Sequence, residues 1–288
     1  MTFWIKAAVI VLVALAIVVA IILVVGEKRV KQEKAALTEK LVNKLPAKKI
    51  YKVDFASLKD LPEPVEKYFR YALTDGQSFI RTSWLEQTGE LKIAPESNDW
   101  STFKATQIIS QDAASFLWDA KISMAPFFHV RVADSLIDGA AAGNVYLMSA
   151  ISIARDKDKA ELNSAALYRY LAEAVWHPTA LLPQSGVVWE SVDENRAVAH
   201  FTKFNISISL EFIFNNAGQI VGIYTRDRYG KFADGYFKYP WQGRFSDYKE
   251  FDGMKIPARG EVGWHLPNGW WLFWKGQIVD ANFEFADG

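Results

Sequence analysis

The stretches FLWDAKISM (116–124) and NISISLEFIF (205–214) carry the reading on which the fold turns. In the first, Phe116, Trp118, Ala120, Ile122 and Met124 alternate with Leu117, Asp119, Lys121 and Ser123. In the second, Ile206, Ile208, Leu210, Phe212 and Phe214 alternate with Asn205, Ser207, Ser209 and Glu211. A period of two sends neighbouring side chains to opposite faces of a strand, and one apolar face beside one wet face marks antiparallel sheet. Similar runs lie outward on both sides, near 83–93, 99–110, 115–124, 127–138, 144–153, 187–193, 196–203, 205–214, 219–229, 236–248 and 255–284, the last long enough for two strands. Turn chemistry separates several of them: Asn215-Asn216-Ala217-Gly218, Asp252-Gly253 and Asn268-Gly269. Connections this short predict an up-and-down meander, and so many strands must curl to protect their edges. The expected fold class is mainly β: a curved antiparallel meander sheet, half-barrel-like, with a covering helix and one transmembrane helix ahead of it.

One segment breaks the alternation. ELNSAALYRYLAEAVW (161–176) is rich in Ala and Leu and lacks Gly; Asn163 or Ser164 can cap its start, and His177-Pro178 stops it. A single helix among strands has to lie on the sheet or close its open end. Arg169, Glu173 and His177 stand at i, i+4 and i+8 and share one helical face. Two readings follow. One is an ordinary Arg–Glu helix pair with a histidine near the C-terminal dipole, worth roughly a few tenths of a kcal/mol each. The other is a polar cluster aimed at a cavity beneath the helix. With Tyr170 and Trp176 turned inward, the expectation is a fixed packing element whose Arg169–Glu173 pair is buried near the sheet. Upstream, LPEPVEKYFRYAL (61–73) sets Val65, Phe69 and Ala72 at helical spacing behind Pro62 and Pro64, and Thr74-Asp75-Gly76 ends it.

The N-terminus has its own logic. From Ala7 to Val25 no charge, Pro or Gly interrupts the apolar run, which as a helix spans roughly 28 Å, close to a bilayer's hydrocarbon core. It exceeds the apolar part of a usual signal peptide, and Val24-Val25-Gly26-Glu27-Lys28 offers no small-x-small cleavage site. A retained anchor contacting the bilayer through 7–25 is expected. Residues 27–50 read as a charged juxtamembrane helix or stalk with Leu37, Leu41 and Leu45 on one stripe, and 51–288 as a single β-rich domain. Lys28, Arg29, Lys31, Lys34, Lys40 and Lys44 follow the anchor, a bias that by itself puts the domain in the cytoplasm, although long domains can cross regardless of charge.

Composition narrows the chemistry. Thirty-three basic residues balance 33 acidic ones, so no net field draws in nucleic acid. There is no cysteine, which rules out thiol catalysis and leaves the redox compartment open. His129, His177, His200 and His265 lie far apart without metal-site spacing, and no nucleophile elbow, phosphate loop or dinucleotide fingerprint occurs. No metal or cofactor is expected, and the balance leans away from an enzyme. Asp119, Asp134 and Glu173 could meet in space as an acid/base pair, whereas Asp227-Arg228 and Arg244 read as sheet-surface ion pairs. Eleven Trp, eleven Tyr and 19 Phe suit either sheet packing or a broad apolar ligand surface.

RYLAEAVWHPTALLP (169–183), followed by Val187-Val188-Trp189-Glu190, resembles the signature of an uncharacterised bacterial domain family of unknown function. FKATQ (103–107), FLWDAKI (116–122), DRY (227–229) and PWQGRFSDY (240–248) agree in order, so the resemblance covers nearly all of 61–275. It brings no activity with it. By architecture the pattern is also similar to the lipoprotein-carrier half-barrels of the LolA/LolB type, in which a curved sheet and helical lid enclose an apolar cavity. That similarity implies a lipid or other apolar ligand held beside the membrane, with Arg169, Tyr170, Glu173, Trp176, His177, Trp118 and Trp241 as candidate contacts, and it tilts the domain toward the extracytoplasmic side. The competing expectations are a hydrolase-like enzyme with Arg169, Glu173 and His177 in its pocket, and an interaction scaffold without a cavity.

Overall fold

The computed structural model describes residues 2–43, 51–111 and 113–286. Six strands come before the central helix: β1 (Ile80–Leu91), β2 (Ser101–Ser110), β3 (Ser115–Ala125), β4 (Phe128–Ile137), β5 (Ala140–Leu147) and β6 (Ile151–Lys157). After it come β7 (Val187–Asp193), β8 (Arg196–Lys203), β9 (Ile206–Phe214), β10 (Ile220–Thr225), β11 (Tyr229–Phe232), β12 (Gly235–Lys238), β13 (Trp241–Phe251), β14 (Met254–Leu266) and β15 (Gly269–Phe285). All but β11 and β12 join one 13-stranded sheet in the order β6-β5-β4-β3-β2-β1-β15-β14-β13-β10-β9-β8-β7. Neighbours in space are neighbours in sequence at every step but two. β10 pairs with β13 across the β11–β12 hairpin, and β1 pairs with β15, Ile80 facing Phe285 and Leu91 facing Trp274. The meander is thus sealed where its first and last strands meet and left open between β6 and β7. Register shifts at Glu86/Gln87 and Val262/Gly263 add bulges that bend the sheet. Gly263 allows one such bend, since a Cβ there would sit 2.5 Å from the Trp271 carbonyl oxygen.

Several expected strands divide. The run 144–153 splits into β5 and β6 at Met148-Ser149-Ala150, where Met148 and Ser149 both take positive φ (51° and 56°). The run 219–229 breaks after β10, and 236–248 divides into β12 and β13 around Tyr239 and Pro240. The long stretch 255–284 is the two-strand unit β14–β15.

The open gap is crossed by α3 (Ala160–Glu173) and by tight 3-10 turns at Ala174–Trp176, Pro178–Leu181 and Pro183–Ser185. Leu167, Leu171, Val175 and Leu181 are sealed in the concave side of the sheet, so α3 is an internal strut with most of its surface covered. The helix expected over 161–176 tightens after Glu173, and His177 adopts φ −143° and ψ 62°, which swings it off the face it would have shared with Arg169. α2 (Glu63–Ala72) buries Val65, Tyr68, Phe69 and Ala72 at one end of the curl, with Tyr68 beside Phe214 and Tyr71 against Tyr248.

α1 (Thr2–Asn43) is continuous from the apolar run into the charged segment. Its stretch 3–25 is exposed throughout or nearly so, whereas Val30 and Leu41 are buried against the convex face of the sheet. There Leu41 joins Ile108 and Leu117, with Leu37, Val42 and Trp84 around them. Lys34 reaches Asp119 at 2.6 Å and Thr106 at 2.9 Å, and Tyr146 donates to Glu33 at 2.7 Å. Leu45 and Lys44 lie outside the described residues.

Candidate functional site

Between α3 and the concave face of β1, β3–β6 and β13–β15 lies a cavity of about 580 Å³. The alternation that defines each strand also builds its wall: Trp118, Ile122, Val130, Val132 and Val145 point inward, while their neighbours Asp119 and Arg131 pair outside at 2.6 Å. Trp176, Trp241, Phe273 and Trp274 complete an aromatic lining. Near one end the wall passes through Ile93, Met124 and Ile153, which are exposed, so the cavity opens between the C-terminal ends of β1 and β3 and the start of β6.

Beneath α3 its polar lining consists mainly of four charged groups brought together from two elements and a connection. Arg169 on α3 donates from Nε to Glu173 Oε1 at 2.7 Å and from Nη1 to Asp134 Oδ2 on β4 at 3.0 Å. Its guanidinium also lies 5.0 Å from the Phe116 ring centre and 5.1 Å from that of Trp118. Gln107 donates to the second Glu173 oxygen at 2.5 Å, Gln87 donates to Gln107 at 2.7 Å, and the Trp118 indole donates to Gln87 at 2.9 Å. This relay fixes Glu173 from the sheet side. Asp134 is half-buried at the cavity wall, and desolvation raises its pKa despite Arg169.

Arg228 is the fourth. It follows β10, its guanidinium stacked 4.5 Å from the Trp241 ring centre and 5.0 Å from that of Trp264. Among the described residues no carboxylate forms an ion pair with it, and its Nε is buried without a hydrogen-bond partner, as is the adjacent Trp241 indole N–H. Burial, with Arg169 nearby, pushes its pKa down to about 9.

Of the residues anticipated from sequence, Trp118, Arg169, Glu173, Trp176 and Trp241 line the cavity. Tyr170 and His177 do not. Tyr170 stacks on Phe201 at 6.0 Å on another flank of α3. His177 is fully buried, its Nδ1 2.6 Å from Ser83 Oγ and its Nε2 3.3 Å from Gln111 Oε1, and burial pushes its pKa down to about 3. The anticipated three-residue polar face is therefore a pair, Arg169 and Glu173, extended by Asp134. Asp119, once a candidate partner for them, sits on the convex face under Lys34 and Arg131. Arg244 forms a surface pair with Glu261 at 3.3 Å, but Arg228, expected on a sheet surface, lies inside. Only its neighbour Asp227 is outside, 3.6 Å from Lys238.

A curled, unclosed antiparallel sheet with an internal helix and an aromatic cavity places the molecule among the half-barrel β proteins. Within that class the chain belongs to the family of unknown function DUF6920, whose model matches residues 59–283. Among solved structures it is similar to a LolA superfamily protein from Nitrosomonas europaea, at 10% identity over 81% of this chain and 94% of that one, with a TM-score of 0.43. It is also similar to a β-barrel-like protein of the domain of unknown function DUF1849 from Brucella abortus, at 8% identity over 72% and 98% of the two chains, with a TM-score of 0.25. No curated protein matches the sequence.

Proposed function

We propose that this protein holds a lipid or another apolar molecule in the cavity beneath α3 while its N-terminal helix anchors it in a bilayer. The observation that carries the reading is the cavity itself: about 580 Å³ lined by tryptophan, phenylalanine and branched aliphatic side chains, within the range typical of small-molecule sites. Anchoring is supported by the one helix among the described residues that is long and apolar enough to cross a membrane, a property that a signal sequence shares. Retention is favoured because the same helix runs unbroken into residues 30–41, which pack on the sheet. The enzyme reading is weaker for a specific reason. Asp134 and Glu173 are both bonded to Arg169, Glu261 pairs with Arg244, and His177 lies buried away from them, so each carboxylate lining the cavity is held by an arginine rather than poised beside a histidine.

Native mass spectrometry of the full-length chain, released from detergent micelles, tests the binding. A bound mass in the lipid range is expected, and substituting Trp176 by Asp should abolish it. A chain that carries no such mass, and whose tryptophan emission is unmoved by brominated phospholipid, would remove this reading. Carbonate washing of membranes tests the anchor, since the chain should stay in the pellet.

A further inference from the structure

We propose that the ligand of this cavity is an anionic amphiphile, whose carboxylate or phosphate docks on Arg228 while its chain lies along the tryptophan-lined wall. This deepens the apolar-ligand reading and rests on it. The starting observation is an imbalance of partners. Of the two cations and two carboxylates gathered beneath α3, Arg169 takes both carboxylates for itself. Arg228 is left with aromatic faces alone, Trp241 on one contact and Trp264 on another. A desolvated guanidinium without a counter-charge is costly, and proteins usually pair such a group or leave it in water. Here it is neither paired nor in bulk water, and it lines the cavity. Trp241, whose indole N–H also lacks a partner, lies directly against it. The arrangement is a donor-rich, anion-poor spot inside an otherwise apolar chamber. An incoming anion would supply the missing acceptor, and the guanidinium fork suits carboxylate and phosphate alike.

The other charges near the site sharpen the choice. Asp134 and Glu173 are bonded to Arg169 and would repel an anion there; on Arg228 they act only through space, neither lying within ion-pair distance of it. Glu261 and Lys92 also line the cavity and carry opposite signs, adding no net field. A neutral apolar ligand would leave the Arg228 guanidinium without a bonded acceptor, and a cationic one would add repulsion to Arg169 and Arg228 together. Of the three, an anion is the ligand that gives Arg228 a bonded acceptor.

The test uses the full-length chain in nanodiscs of phosphatidylcholine, with tryptophan quenching by 9,10-dibromostearate, by its methyl ester and by brominated phosphatidic acid. Wild type should bind at least one of the two acids about tenfold more tightly than the ester, and whichever acid wins identifies carboxylate or phosphate as the headgroup. Arg228→Met should bring acid binding down to the ester's level and leave ester binding unchanged. Equal binding of acid and ester by wild type, or a preference that persists in Arg228→Met, would overturn the proposal while leaving the apolar cavity standing. Quenching by none of the three would instead strike the cavity reading itself. A second measurement guards against misfolding: removing an uncompensated charge should raise the melting temperature of the ligand-free chain. The preferred acid should raise that of wild type and not that of Arg228→Met; a variant less stable than wild type, or equally stabilised by that acid, would count against the assignment.

Discussion

Arg169 is the hub of the charged cluster, and the two residues that hold it are unequal in what their loss would leave behind. Without Glu173, Arg169 keeps Asp134 at 3.0 Å, though the Gln107 amide loses its acceptor. Without Arg169, two carboxylates face one cavity with no bonded cation. Glu173→Ala is therefore expected to cost about 1–3 kcal/mol and Arg169→Ala about 3–5 kcal/mol, with the double variant losing less than the sum. Urea denaturation of the three measures this, and a larger loss for Glu173→Ala than for Arg169→Ala would displace Arg169 from its central role. His177 gives a pH prediction. Its Nε2 faces Gln111 Oε1, which can only accept, so Nε2 carries the proton and Nδ1 accepts from the Ser83 hydroxyl. Its pKa falls from 6.5 to about 3 on folding, so the unfolded chain binds the extra proton between those values. Its contribution is then complete above pH 6.5 and is lost progressively as pH falls toward 3. His177→Gln should flatten the stability profile across that window, whatever it does to stability at neutral pH. At this scale the sequence was informative only within one element. The i, i+4 spacing exposed Arg169 and Glu173; Asp134, 35 residues away on a strand, could be named only as one carboxylate beside Asp119, which faces the other way, and nothing in local periodicity separates Arg228 from the exposed Arg226 two residues before it.

Strand ends were plainest where turns used glycine or asparagine, and one was lost where a turn used neither. Asp252-Gly253, both at positive φ (45° and 77°), announces the β13–β14 hairpin. The β5–β6 turn uses Met148 and Ser149 in that same strained region, so its sequence reads straight through as one strand. The pairing of β1 with β15 is long-range, and no alternation pattern specifies a partner that far along the chain. The segment 27–50 read as a charged juxtamembrane helix or stalk, and its described part is helix that packs on the convex face of the sheet. Leu41, Ile108 and Leu117 are each at most 3% exposed, and Lys34 and Arg131 share Asp119, whose pKa is lowered by hydrogen bonds to them despite burial. A chain starting at Tyr51 should fold, since the main core lies within the sheet and helices beyond that point. It should also melt several degrees below a chain starting at Glu27, because it uncovers that apolar patch on the convex face. Equal melting temperatures would show that the α1–sheet contact contributes nothing. A second element, the β11–β12 hairpin, is tied to the β6 edge through Asp156, which accepts from Lys231 and Tyr236 at 2.7 Å each while also pairing with Lys159 at 2.8 Å. The hairpin thereby straps the open side of the sheet next to Arg228.

The contact between α1 and the sheet also fixes which way the cavity faces. Gly26 lies so close to Ala150 that a Cβ on it would be 2.6 Å from the Ala150 Cβ, and Ala150 belongs to the β5–β6 turn. Met148 of that turn donates its N–H to the His129 carbonyl, which brings the β3–β4 hairpin tip alongside. The apolar stretch of α1 therefore leaves the domain at the same end as Phe127, Phe128, Met124, Ile151 and Ile153, all exposed, with Phe127 at 99%. Three features coincide there: the cavity's opening, an apolar rim, and the start of the segment that can enter lipid. Apolar side chains at a monomer's surface are ordinary singly, but a cluster around a pocket mouth beside a membrane segment has a use. If α1 spans a bilayer, the rim meets the lipid surface and a ligand can pass between bilayer and cavity without crossing water. Because the chain contains no cysteine, Phe127→Cys creates one unique attachment site for a spin label. In full-length protein reconstituted into nanodiscs, that label is expected to be reached by oxygen more readily than by a water-soluble nickel complex. Asn216→Cys, in the exposed β9–β10 turn at the α2 end, should show the reverse. Should the label at position 127 prefer the nickel complex, the rim stands in water, and a lipid would have to reach the cavity from solution or from a partner that carries it.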